Sequence, residues 1–127
     1  MGQSFYEADA DARAVFDEAS ELLGYDMKAL CFEENEKLNL TQYTQPAMVT
    51  TGIAIMKVVE KQGLLPDTAA GLSLGEYEAL YAAGALSVTD AIRVVARRGE
   101  LMEAAVPAGV GAMAAVLGAE AALIEET

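Results

Sequence analysis

Residues 71–75, Gly-Leu-Ser-Leu-Gly, constrain the fold more tightly than any other stretch of the chain. A short apolar run, Thr68-Ala69-Ala70-Gly71-Leu72, leads into Ser73, and helical spacing follows with Glu76, Ala79, Leu80 and Ala83 up to Gly84. Glycines two positions either side of a serine suit an abrupt turn from a buried strand into a helix. Side chains there would strike the neighbouring strand and helix. The serine then sits strained at a helix start, where the next amide, that of Leu74, points at developing negative charge. The pattern predicts a nucleophile elbow with Ser73 as nucleophile, although a flexible glycine turn with a surface serine fits the same five residues. A nucleophilic serine needs a base, and the chain contains no histidine.

Elsewhere the hydrophobic spacing is mostly helical. Ala12, Val15, Phe16, Ala19, Leu22 and Leu23 predict an amphipathic helix over 8–23, capped by Gly24, with a short helical turn at Met27 to Phe32 and a polar connector over 33–37. In TQPAMVTTGIAIMKVVEKQG, Thr44 reads as a cap and Pro46 as a first-turn residue of a helix ending at Gly63. Ser87-Val88-Thr89-Asp90 reads as a capping box for a helix running to about Ala105, broken by Val106-Pro107-Ala108-Gly109. Gly111 to Leu117 reads as a strand, and Ala119 to Thr127 as the start of a helix. Helix, strand, turn and helix in alternation predict an α/β fold with a parallel sheet. Two candidate strands are too few for such a sheet, so the chain is expected to be a piece of a larger domain.

Composition narrows the function. A net charge of −12 over 127 residues repels nucleic-acid phosphates and anionic membrane surfaces alike. The longest apolar tract, Val106 to Ile124, is interrupted by Pro107, glycines and Glu120 and reads poorly as a membrane span. No signal peptide is expected, and a cytoplasmic location fits the single cysteine. Cys31 itself reads as a small buried hydrophobe, and one cysteine without histidine leaves no zinc cluster; the carboxylates leave a magnesium or calcium site open but show no EF-hand spacing, and no metal ligand is assigned.

GLSLGEYEAL, followed by AAGALSVTDAIRVVARRGELMEAAVPAGVGAMAAVLG, resembles the malonyl-CoA:acyl carrier protein transacylases and the related acyltransferase domains of fatty acid and polyketide synthases. TQYTQPAMVTTGIAIMKVVEKQG resembles the same family's segment before its nucleophile, so the resemblance covers essentially the whole chain. The resemblance implies that Ser73 takes the malonyl group as a serine ester and that the Leu74 N–H forms half of the oxyanion hole. It also implies that Arg98 holds the free malonyl carboxylate and that Gln45 lies beside the site. An arginine suits that role, because its guanidinium forks onto a carboxylate with two parallel hydrogen bonds. On residues alone, Arg98 reads first as a solvated helix arginine beside Arg93 and Arg97, and it is the resemblance that reverses this reading.

The implied fold is part of an α/β-hydrolase-like large subdomain over residues 1–110, with 111–127 beginning a ferredoxin-like small subdomain. The implied partners are malonyl-CoA, as substrate, and acyl carrier protein, with no cofactor. Where family members often carry histidine before the serine, this chain has Leu72. The family's glycine-rich strand-loop is expected before Met1 and its catalytic histidine beyond Thr127, so the chain alone is expected to be nearly inactive. Two rivals remain at this point. One is a serine esterase or thioesterase using the same elbow, and the other is a non-catalytic fragment that self-associates or packs on another chain.

Overall fold

The computed structural model describes residues 1–107, 109–111 and 114–125. It is helix-rich: α1 is Gln3–Ala8, α2 Ala10–Leu23, α3 Met27–Phe32, α4 Thr41–Lys61, α5 Gly75–Ala82, α6 Val88–Ala105 and α7 Ala121–Glu125, with a 3₁₀ turn at Lys37–Asn39. The long helices α2, α4 and α6 pack on one another. Their apolar stripes meet in a core whose largest buried members include Phe16 of α2, Val49 and Ile53 of α4, and Ile92 and Val95 of α6. Removing such stripes from water is what chiefly holds helices of middling intrinsic propensity together.

Local chemistry sets the helix ends. The expected helix over 8–23 is broken at Asp9, whose extended backbone (φ −132°) separates α1 from α2. The Asp9 carboxylate accepts from the Asp11 and Ala12 amides, satisfying two donors that a helix start leaves free. Those bonds hold its carboxyl below the ordinary range, with Lys61 assisting from the end of α4. Gly24 caps α2 at φ 72°, as its position suggested.

Helix α4 begins earlier than Thr44 and Pro46 implied. It starts at Thr41, so Pro46 lies inside it and leaves the Gln42 carbonyl without its helical donor. The Thr44 hydroxyl, far from capping, donates back to the Leu38 carbonyl at 2.6 Å. In α6 the capping serine does behave as expected, Ser87 Oγ accepting from the Asp90 amide.

The expected strand at Thr68 to Leu72 is absent. Residues 68–72 are irregular and exposed, because a strand is defined by bonds to a neighbouring strand and no described segment supplies one. Apolar side chains in and just before this stretch accordingly face outward: Leu65 is 72% exposed and Leu72 91%. Of the second expected strand, Ala112 and Met113 lie outside the described residues, while Ala114 to Leu117 are irregular. The helix expected over 119–127 is shorter, Ala121–Glu125, with Glu126 and Thr127 outside the described residues. Among the described residues no helix is long and apolar enough to cross a membrane.

Candidate active site

The turn at Ser73 has a backbone that only a special role or a glycine ordinarily justifies. Ser73 has φ 55°, and among the described residues no other non-glycine has a positive φ. The turn tightens into α5 through the Gly75 amide, which donates to the Leu72 carbonyl at 3.0 Å. A Cβ at Gly71 would collide with the backbone of Gly75 and Glu76, so the first glycine of the pattern is required by close approach. The second is not explained in that way, since beyond its chain neighbours and the backbone of its own helix no described atom lies within 4 Å of a Cβ at Gly75. The Leu74 amide, at the N-cap of α5, donates to no acceptor among the described residues.

Helix α6 passes close to the first turn of α4 because Gly99 is buried there. A Cβ on it would lie 2.8 Å from Gln42 Cα and 2.9 Å from the Thr41 carbonyl oxygen. This approach brings together residues that are distant in sequence. Arg98, next to Gly99, donates through Nη2 to Ser73 Oγ at 2.9 Å and through Nη1 to Gln45 Oε1 at 2.5 Å. Its guanidinium carbon lies 5.7 Å from the centre of the Tyr77 ring, one turn after Ser73. Gln45 is buried, and its Nε2 donates to Thr41 Oγ1 at 2.9 Å and to Met102 Sδ at 3.2 Å.

Of the arginines on α6, Arg97 is the solvated one, paired with Glu100 at 2.8 Å. Arg98 is half-buried and turned onto the serine. An open apolar depression lined by Tyr77, Val94, Leu101, Met102 and Ala105 adjoins it. A serine oxygen, a free helix-start amide and a fixed cation thus lie in one place. The set can hold an acyl ester on Ser73 and a carboxylate near it. The described residues bring Ser73, Arg98 and Gln45 into contact and set Leu74 at the same turn. Sequence patterns did not single out Thr41, Tyr77 and Met102 as site residues. Their signal was spacing: Thr41 and Met102 stand four residues from Gln45 and Arg98 on the same helix, and Tyr77 four residues after Ser73 across the turn into α5.

Residues 1–126 match the family model described as acyl transferase domain. The malonyl CoA-acyl carrier protein transacylase of Bacillus subtilis (strain 168) is 50% identical over 127 residues, covering 99% of this chain and 40% of that protein. The crystal structure of the corresponding enzyme, MCAT, from Streptococcus pneumoniae superposes with a TM-score of 0.88 at 48% identity, covering 99% of this chain and 41% of that one. A malonyl-transacylase solved in complex with a type II polyketide acyl carrier protein gives 0.78 at 43% identity, covering 84% of this chain and 35% of that one. The chain therefore spans about 40% of the length of the relatives it matches throughout. The family match over nearly every residue and the shared helical architecture lead to one statement: the chain belongs to the acyl transferase domain family.

Proposed function

We propose that the chain is part of a malonyl-CoA:acyl carrier protein transacylase, which moves malonyl from coenzyme A to the carrier protein's thiol through an ester on Ser73. The observation that carries this reading is the 2.9 Å contact between Arg98 Nη2 and Ser73 Oγ, with Gln45 behind the guanidinium. A cation so near the nucleophilic oxygen suits an acyl group whose own carboxylate lies a few bonds from the ester. That is the description of malonyl, and it disfavours acetyl, which has nothing to place there. A simple esterase has no use for such a cation.

In this reading Ser73 Oγ attacks the thioester carbon while its proton passes to a base. The Leu74 N–H stabilises the oxyanion, and the coenzyme A thiolate leaves as the serine ester forms. The carrier protein's thiol then attacks the ester and restores the serine. Arg98 binds the malonyl carboxylate and Gln45 orients Arg98. Malonyl-CoA is the substrate, and the reaction draws on no metal or cofactor. The base is a histidine outside these residues, since the chain has none. Residues 1–110 belong in this reading to an α/β-hydrolase-like subdomain and 111–127 open a ferredoxin-like one, with the enzyme acting in the cytoplasm. The names of the Bacillus subtilis relative and of the carrier-protein complex support the same substrate and partner.

The test is acylation of Ser73 followed by intact mass. The product of the complete reading frame is expected to take up one malonyl group rapidly, and residues 1–127 alone to stay unmodified on that timescale. Arg98→Ala is expected to cut kcat/KM for malonyl-CoA by about 100-fold or more and to leave slow acetyl transfer little changed. Little change with either donor would point to an esterase-like site.

A further inference from the structure

The Gln45 side chain is a buried primary amide, and two of its three described partners, Arg98 and Met102, have a definite polarity. It is 4% exposed, and it contacts Thr41 on its own helix and Arg98 and Met102 on α6. A primary amide has two N–H donors on nitrogen and an acceptor on oxygen. Exchanging the two ends would turn its NH₂ towards a guanidinium, which offers only donors, and its oxygen towards the Met102 sulfur, which carries no proton. Met102 and Arg98 therefore exclude the flipped amide by polarity. With the polarity so set, the Thr41 hydroxyl accepts from the nitrogen end and anchors it, and without it a buried N–H would be left unmatched.

We propose that Thr41, with Met102 opposite, is a positioning residue for acyl selectivity: it pins the Gln45 amide so that Oε1 holds the Arg98 guanidinium over Ser73. This rests on the transacylase reading. With Nη1 engaged by Gln45, rotation of the guanidinium about its long side chain is restrained, and its donors are oriented before the acyl carboxylate arrives. Orientation fixed in advance is what turns an available cation into a selective one. Thr41 and Met102 touch neither acyl group nor nucleophile in this scheme and act through Gln45 and Arg98.

The test uses the product of the complete reading frame and measures kcat/KM for Ser73 acylation with malonyl-CoA and with acetyl-CoA separately. Thr41→Val is expected to lower the malonyl value about tenfold while the acetyl value stays within about twofold. Thr41→Ser, which returns the hydroxyl, is expected to restore the malonyl value to within about twofold. Met102→Leu keeps the bulk, removes the sulfur acceptor and is expected to lower the malonyl value about threefold with acetyl unchanged. It carries the test alone if Thr41→Val does not fold.

A malonyl-to-acetyl ratio unchanged in Thr41→Val, or in Met102→Leu where it stands alone, overturns the proposal. So does a parallel fall with both donors that serine does not rescue, because that is loss of structure. A wild type without malonyl preference removes the transacylase reading and this proposal with it. Intact wild-type preference that the variants retain removes this proposal alone.

Discussion

At φ 55° Ser73 occupies a basin in which a residue with a Cβ is held at a cost of about 1–2 kcal/mol. Replacement by glycine relieves that cost but gives back about 0.5–1 kcal/mol through the freer unfolded chain. Ser73→Gly is therefore expected to be about 0.5–1 kcal/mol more stable than Ser73→Ala in denaturant titration. Both variants should be unable to form the acyl ester. Equal stability of the two would mean that the turn relaxes once the serine is gone. The serine was legible because the glycines around it are a local signal, and Gly71 is needed for the reason that the pattern suggests. Arg98 was legible only through resemblance: nothing local separates it from Arg97, and what does is which face of α6 meets α4. Thr41 was not legible, since a threonine at a helix start has many uses and its partner here is an amide one turn on.

Helices α4, α5 and α6 show why glycine inside a helix is informative. Gly99 lets α6 close on α4, and Gly52 of α4 leaves room for the Glu78 carboxylate of α5, which lies where a Cβ would be. Burial there pushes the Glu78 carboxyl above its ordinary 4.5. The folded state thus holds this proton at pH values where the unfolded chain has already released it. Stability contributed by the neutral acid is present below the unfolded value and declines as pH rises through the folded one. Glu78→Gln keeps the shape without the charge. Its melting temperature is expected to exceed that of the wild type at about pH 7 and to match it at about pH 4. A gap that persists at acid pH would mean that the amide gains a bond of its own. At this scale the helices were readable from their apolar period, while the break at Asp9 and the early start of α4 were not. Both involve local side-chain and backbone bonds that periodicity does not register.

Taken as a molecule, the chain has a well-filled core on one side and a run of outward apolar side chains, Leu64, Leu65 and Leu72, on the other. The sequence pattern marked residues 68–72 as strand because they have the composition of one. Composition does not supply the neighbouring strand whose amides and carbonyls complete it. Isolated residues 1–127 are expected to self-associate at micromolar concentration, with Leu72→Asp reducing the effect, as read by light scattering. A monodisperse monomer across that range would count against it. The exposed leucines and the absence of histidine agree with a chain that spans about 40% of its relatives.

The contact between Gln45 and Arg98 joins residues 53 apart, and that between Arg98 and Ser73 joins residues 25 apart. During synthesis the glutamine is made first, the serine next and the arginine last. The Ser73 oxygen therefore exists for a time with no cation beside it, until α6 docks onto α4 at Gly99. Long-range closures of this kind come late in folding, after the local helices have formed. On the transacylase reading, selectivity for the acyl chain is in that sense a property of the finished packing, and an immature chain has its serine in place before it has any means of choosing what to react with.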